Sequence, residues 1–561
     1  MKRYFCVLLF LLSAFISSAQ LTTFERAIKP AFNAGFVKIL AGTNGQWFLA
    51  GNLSSASPDR NYIMKCDSVG NTLWSDSGLD TNHIGYIGDL IKSADENLVA
   101  CGVDYPCDGI DLGIFLKKVD TNGTLQWIRK FPIASLGGGP SGVSKVIQLS
   151  GNGFLFTSIN ILYKTDPAGF VIWTDTLTNG AVLCLLENQQ HNYLVGTSSG
   201  ISVFDSSGNF LSTHPIAGGA QEIISLQDTG YFVSSGTDFN DIDTAFTSIL
   251  TFNLSGYLSS VQQIKYYGNE WWILGRENNQ TTVLNLDSLL QYSNSFSFGD
   301  DHVIGGDLDI SSTRIALAGV EITAANSNMF VKTFLKNGTS VSYHTDAGIT
   351  DIRYDTVYMV HHIALPPGVS DLFFDTYVTV KNFGQDTLTD VFVNSKFFTY
   401  TICEYNFYMH QFTGLNLLPN DTVQLHLGLL WDPMLYCANV CTFDYCFWTS
   451  CPNGKVDKDH SNDSICNGFT ADFQTGLQVQ KVDNGISVFP NPAESEIFIQ
   501  LAEEKNQHLL FEIKNLLGEK ILSGELAEKI NTIDLATLPP GIYFICIHSG
   551  EKAVTRKFIK L

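Results

Sequence analysis

The run DKDHSND sets Asp457, Asp459, Ser461 and Asp463 at alternate positions. Oxygens at that spacing can wrap a hard cation, because calcium takes carboxylate and carbonyl oxygens from one tight loop. The run departs from the helix-flanked calcium loop, since Asn462 stands where glycine is needed and Gly468 where a bidentate glutamate is needed. Calcium on Asp457, Asp459 and Asp463 is one expectation, and a solvated hairpin turn is the favoured one. Six cysteines crowd nearby, Cys403, Cys437, Cys441, Cys446, Cys451 and Cys466. Zinc would want paired C-x-x-C knuckles, which these spacings lack, so disulfides are expected, with 15 pairings open for three bridges.

Nucleophilic chemistry has one formal match. Gly196 to Gly200 reads GTSSG and puts Ser198 in the nucleophile place of G-x-S-x-G. That motif needs a helix after the serine, whereas ISVF, a strand pattern, follows here. Trp271 and Trp272 could stack on a sugar, but neighbours on a strand face opposite sides, so at least one should pack inward. No H-E-x-x-H, phosphate loop or paired-histidine spacing occurs, and no catalytic residue is assigned.

These residues sit on a chain of 561 residues, 45% hydrophobic and 16% charged, with 48 glycines. Such a composition builds cores, and its aromatic and turn residues favour strands over helices. A formal charge of -22 argues against nucleic acid, whose binding rests on Lys and Arg clusters. Residues 1–19 read as a signal peptide: basic Lys2 and Arg3, an apolar run from Tyr4 to Ile16, then Ser17-Ser18-Ala19. The run is shorter than the about 20 residues of a spanning helix, and no later stretch is long and apolar enough, so no transmembrane segment is expected. Export makes disulfides the natural fate of clustered cysteines.

From Ala31 to His344 a pattern recurs. YIMKCDSVGNTLW, FLKKVDTNGTLQW and ILYKTDPAGFVIW share an Asp, a Gly three residues later and a Trp four after that. Weaker copies start at Ile201, Ile249, Thr282 and Phe330, and a companion hairpin precedes each of the seven. Two hairpins per unit is the mark of a four-stranded blade, which cannot bury both faces alone and must stack on neighbours. The expectation is all-β: a seven-bladed β-propeller over 20–345, with Trp74, Trp127 and Trp173 as packing anchors between blades.

The period is lost after Asp351. YVTVKNFGQDTLTDVFV, LNLLPNDTVQLHLG and NGKVDKDHSNDSICNG resemble the CARDB type of immunoglobulin-like adhesion domain. The resemblance implies an immunoglobulin-like β-sandwich over 346–475, carrying the cysteines, then a linker over 476–484.

The segment 485–561 carries Pro490-Asn491-Pro492, Asn515 to Gly518, Leu538, Gly541 and Tyr543, and a basic close from Lys557 to Lys560. In these it resembles the C-terminal sorting domain of type IX secretion cargo in Bacteroidetes. The resemblance implies a small β-sandwich, the type IX machinery as partner, and a protein secreted or anchored at the outer cell surface. Asp-Ser/Thr-apolar tripeptides, which resemble the O-glycosylation signal of the same bacteria, occur at Ser68, Thr176, Thr244, Ser288, Thr356, Thr387, Thr422 and Ser464.

The function expected is a non-catalytic binding protein without cofactor, its propeller presenting a face to a polysaccharide or surface protein. The alternative is an extracellular propeller glycosidase or lyase. Two carboxylates about 5–10 Å apart in an open channel would favour that alternative.

Overall fold

The computed structural model describes residues 23–561 except 32, 55–59, 77–82, 107–112, 133–144, 159, 179, 227–229, 299–301, 323–326, 362–368, 402–403, 437–439, 473–485, 502–508, 517, 528 and 550–551. The expected signal peptide, residues 1–19, and the expected linker, residues 476–484, lie outside the described residues. Among the described residues there are strands, turns and two short 3-10 turns, with no α-helix.

Seven four-stranded antiparallel sheets come first. Six span 33–76, 83–132, 145–176, 182–215, 222–253 and 260–298, each with its strands in chain order. The seventh takes three strands from 303–335 and a fourth, Glu25–Ala31, from the start of the chain, which pairs with Ser327–Leu335. The lead strands Asn33–Ala41, His83–Lys92, Lys145–Gln148, Val182–Glu187, Glu222–Ser225, Ser260–Tyr267 and Val303–Ile310 touch one another in that order, and the last touches the first.

The Asp-x-x-Gly signal builds the outer hairpin of the first four sheets. Asp67 Oδ1 accepts from the backbone N–H of Val69 and Asn71, and Gly70 takes the left-handed φ of 86° that closes the turn. The same glycine has a second use. Trp74 of the first sheet lies flat against Gly123 of the second, where an added methyl would stand 2.8 Å from its ring, and Trp74 Nε1 donates to Thr121 O at 3.0 Å. Trp127 covers Gly169 in the same way, Trp173 covers Gly208, and Phe296 covers Gly338. Phe24, beside the borrowed strand, covers Gly70 of the first sheet. Trp74, Trp127 and Trp173 are therefore packing anchors between sheets.

The fifth unit departs from the sequence expectation. Its outer hairpin is not the stretch from Ile249 but Asp238–Ile242 and Ser248–Asn253, joined by a turn from Asp243 to Thr247. Phe246 holds the left-handed position with φ 62°, so the glycine signal was missing there. The neighbour changed with it: His214 stacks on Phe246 at 3.9 Å where the first three sheets place Trp on the next sheet's Gly.

Replacing Gly123 by Val adds both a left-handed strain and a clash with Trp74. Together these should cost roughly 3 kcal/mol, read as a lower urea midpoint for the first unfolding transition, whereas the same change at Gly151, which faces open space, should cost far less.

Two smaller regions follow, each made of a three-stranded and a four-stranded sheet. In the middle region Ala347–His361, Val369–Asn382 and Thr422–Tyr436 face Glu404–Leu417, Leu388–Thr401, Val440–Ser450 and Ser464–Asp472 across one core that includes Phe374, Val393 and Phe447. A disulfide joins Cys446 to Cys466, which are direct partners across two strands. Cys451 departs from the expected bridging: it follows the strand Val440–Ser450 in a left-handed conformation, fully buried, with a free thiol that burial and nearby carboxylates hold far above its usual pKa. Cys403 and Cys437 lie outside the described residues. The last region spans 486–561 around Ile497, Ile513, Ile545 and Phe558.

Candidate functional site

Lys38 stands on the first lead strand, Asn33–Ala41. Its Nζ is 3.4 Å from Asp89 Oδ1 and 3.8 Å from Asp307 Oδ1. Burial pulls an ammonium pKa down, but Asp307, Asp89 and Glu222 outweigh it and hold Lys38 above the usual lysine range. Both acids occur in a Gly-Asp-Leu tripeptide, at 88–90 and 306–308, each at a β-bulge. The bulge turns the carboxylate sideways into the next sheet: Asp89 Oδ2 accepts from Val146 N at 3.1 Å, and Asp307 Oδ2 from Ile39 N at 2.9 Å. The repeated tripeptide was the sequence signal for this cluster and was missed. These carboxylates are close together, but Asp307 is fully buried and both are committed to backbone donors. They tie neighbouring sheets and are not open to a substrate.

A cleft of about 440 Å³ opens between the third and fourth sheets, lined by Ser150, Lys164, Ile172, Glu187, His191 and Ser206 among others. Ser150 Oγ lies 3.0 Å from His191 Nδ1 and 2.9 Å from Glu187 Oε1, and His191 Nδ1 lies 3.1 Å from the same Glu187 oxygen. A Ser-His-acid relay needs opposite ring nitrogens for hydroxyl and carboxylate. Here one nitrogen faces both, and the carboxylate also takes the hydroxyl directly, so no relay exists. The flanking bonds recur elsewhere as ties. Ser150 N donates to Glu187 as Ala94 N donates to Gln148 one sheet earlier, and Lys164 Nζ reaches Ser206 O as Lys65 Nζ reaches Thr121 O. What the cleft adds is the exposed His191 ring, the Ser150 hydroxyl and the apolar Ile172 at its wall.

The remaining sequence candidates scatter. Ser198 lies in a tight hairpin between Tyr193–Thr197 and Gly200–Phe204, with no helix after it. Trp271 and Trp272 are both buried, at 3% and 1% exposure, which removes them as sugar platforms. Asp457 and Asp463 are buried against the seventh sheet, whereas Asp459 is exposed and accepts from its own turn at Ser461 N and Oγ. Asp463 shares a side-chain hydrogen bond with Asp457 while Asp459 stands apart in solvent, and among the described residues no group of three or more His, Cys, Asp or Glu is placed to hold a metal ion.

The buried pair belongs instead to the contact between the seventh sheet and the middle region. Glu321, fully buried, accepts from Asp457 N at 3.0 Å and Asn328 Nδ2 at 2.7 Å, with His460 Nε2 at 3.6 Å. His460 Nδ1 meets Asp463 Oδ2 at 2.8 Å, its ring packs on His302, and Lys455 Nζ donates to Glu25 O. Burial pushes the Glu321 carboxyl up to about 7, against His460, Asn328 and the Asp457 amide, while Glu25 adds to the rise. A folded-state value above the unfolded one means that stability is full below about pH 4.5 and falls as pH climbs through 7. The span corresponds to roughly 3 kcal/mol. Glu321→Gln should flatten this part of the pH dependence of the melting temperature; an unchanged slope would remove Glu321 as its source.

The sorting-motif residues take turn, core and strand places in the last region. Asn491 Nδ2 donates to Lys557 O at 3.1 Å and its Oδ1 accepts from Ile559 N at 2.8 Å, clipping the Pro490-Asn491-Pro492 turn to the last strand. Gly518 turns a hairpin at φ 81°, and Leu538 is buried in the core. Tyr543 stacks on Phe558 and donates to Pro539 O, Gly541 opens its strand, and Lys557 and Lys560 line the last one.

Residues 487–561 match the family described as the secretion system C-terminal sorting domain. No curated protein matches the chain. Among solved structures it is similar to a protein of unknown function from Bacteroides caccae, at 13% identity over 45% of this chain and 94% of that one, TM-score 0.33. It is also similar to BBS1N in complex with ARL6DN, at 9% identity over 55% and 95%, TM-score 0.37. Among the described residues no helix is long and apolar enough to cross a membrane. The chain carries a type IX secretion sorting domain, which makes it a cargo protein of that system, secreted or attached at the outer cell surface.

Proposed function

We propose that the seven sheets are the blades of a closed seven-bladed β-propeller, that the middle region is a CARDB-like immunoglobulin-like domain, and that the protein is a non-catalytic binding protein. Ring closure is supported by the cyclic contact of the lead strands and by the Phe24 ring seated on Gly70. Binding is favoured over catalysis by one observation above all: the polar groups that could act as acid, base or nucleophile are tied to backbone donors or to each other, at Asp89, Asp307, Ser150 and Glu187. The cleft between the third and fourth sheets is the proposed ligand face, with polysaccharide or a surface protein as ligand.

The mature chain, residues 20–561, run on native gels cast with a panel of polysaccharides, tests this. Retardation without released reducing ends, weakened by His191→Ala, supports a binding face at the cleft. Release of reducing ends would make the protein an enzyme, and retardation indifferent to His191→Ala would move the ligand elsewhere.

A further inference from the structure

The outer face of the three-stranded sheet in the middle region is ruled by in-register rows. Tyr358 pairs with Phe373, and Phe373 with Trp431, across three adjacent strands. Their rings are nearly parallel, 5.0 and 6.4 Å apart with interplanar angles of 10° and 15°. Four residues along the same strand, about 13 Å away, a second row joins Arg353, Tyr377 and His426. Here the guanidinium lies 4.5 Å over the Tyr377 ring and His426 stacks on that ring at 4.4 Å. Between the rows stand Asp375, whose Oδ1 is 2.7 Å from His426 Nε2, and Leu429, half exposed.

The inward side chains of the same strand, Leu372, Phe374, Val378 and Val380, already fill the core, so the outer rows do nothing for it. Trp431 remains 41% exposed at the edge strand. A stack of rings standing in water is costly for a sheet that needs only one apolar face.

We propose that this face is a glycan-binding site, with an extended oligosaccharide lying across both rows. The ligand class follows from the mixture. A protein-binding patch depletes charge at its centre, whereas here a carboxylate, an imidazole and a guanidinium are interleaved with the rings. Sugar rings match that mixture, offering C–H faces to aromatic rings and hydroxyls to Asp375 and His426. Arg353 adds a place for a carboxylate on a uronic acid. The site is separate from the cleft between the third and fourth sheets.

The test uses the mature chain on affinity gels with neutral and uronic-acid polysaccharides, comparing wild type with Trp431→Ala and Tyr377→Ala. Melting curves establish that both variants fold. At least one polysaccharide should retard the wild type, and each variant should lose about tenfold or more in affinity for it. Arg353→Ala should weaken the uronic-acid arm and leave the neutral arm unchanged if the ligand is acidic, and affect neither if it is neutral. Folded Trp431→Ala and Tyr377→Ala proteins that bind every retarding polysaccharide as the wild type does would overturn the proposal. So would no retardation by any member of the panel, or capture of a protein on this face in its place.

Discussion

Removing residues 23–31 should abolish the soluble fold of the seven-sheet region, and a peptide of that sequence added in trans should restore it. The strand Glu25–Ala31 is the fourth of the seventh sheet, and without it Ser327–Leu335 becomes a bare edge carrying Met329, Phe330 and Val331 in its core-facing and neighbouring positions. Such an edge pairs with other chains. Phe24, 2% exposed, would also leave Gly70, and burial of one phenylalanine accounts for about 1.5–3 kcal/mol by itself. Two polar ties go with it: Glu25 Oε2 with Lys332 Nζ at 2.6 Å, and Glu25 O with Lys455 Nζ at 2.9 Å. Size-exclusion chromatography with and without peptide reads the result. A monomeric, cooperatively melting deletion variant would show that the borrowed strand is dispensable.

Lys38→Met should destabilise the same region by about 3–5 kcal/mol, the cost of leaving buried charge without its partner. The methionine fills a similar volume, so the loss is electrostatic and not a cavity. Burial already pushes the Asp307 carboxyl upward, with Lys38 and Lys265 opposing it. Without Lys38 its folded-state value rises further. A raised value gives stability below the unfolded pKa that is lost as pH climbs, so the deficit should be greatest at neutral pH and shrink toward pH 4. Urea titrations at the two pH values separate this from a packing defect, which would cost the same at both. Pairing Lys38→Met with Asp307→Asn should recover part of the loss.

Much of the strand pattern was legible because its signals are local. Asp67, Gly70 and Trp74 mark a turn, its left-handed residue and its anchor within eight positions, and the companion hairpins alternate cleanly. The sorting segment was legible for a like reason: Asn491, Leu538 and Tyr543 sit at fixed places in a short sequence whose turns and core they make. Where local chemistry changed, the reading failed. Phe246 replaced glycine at the left-handed position, and its compensation, His214, came from another sheet. Trp271 and Trp272 looked half available because alternation sends one of two neighbours outward, yet stacked sheets cover both faces of that strand.

The sequence by itself determined the class and the destination: an all-β chain of repeated hairpins, acidic, with a terminal sorting domain. Those follow from composition, period-two alternation and turn residues, which act within a few positions. Only the tertiary structure decided that residues 25–31 complete a sheet begun some 300 residues later, that Lys38 neutralises acids from two other sheets, and that Arg353, Tyr377 and His426 form one row. Each of these joins residues far apart in sequence, through strand register and burial, and no local pattern carries that information.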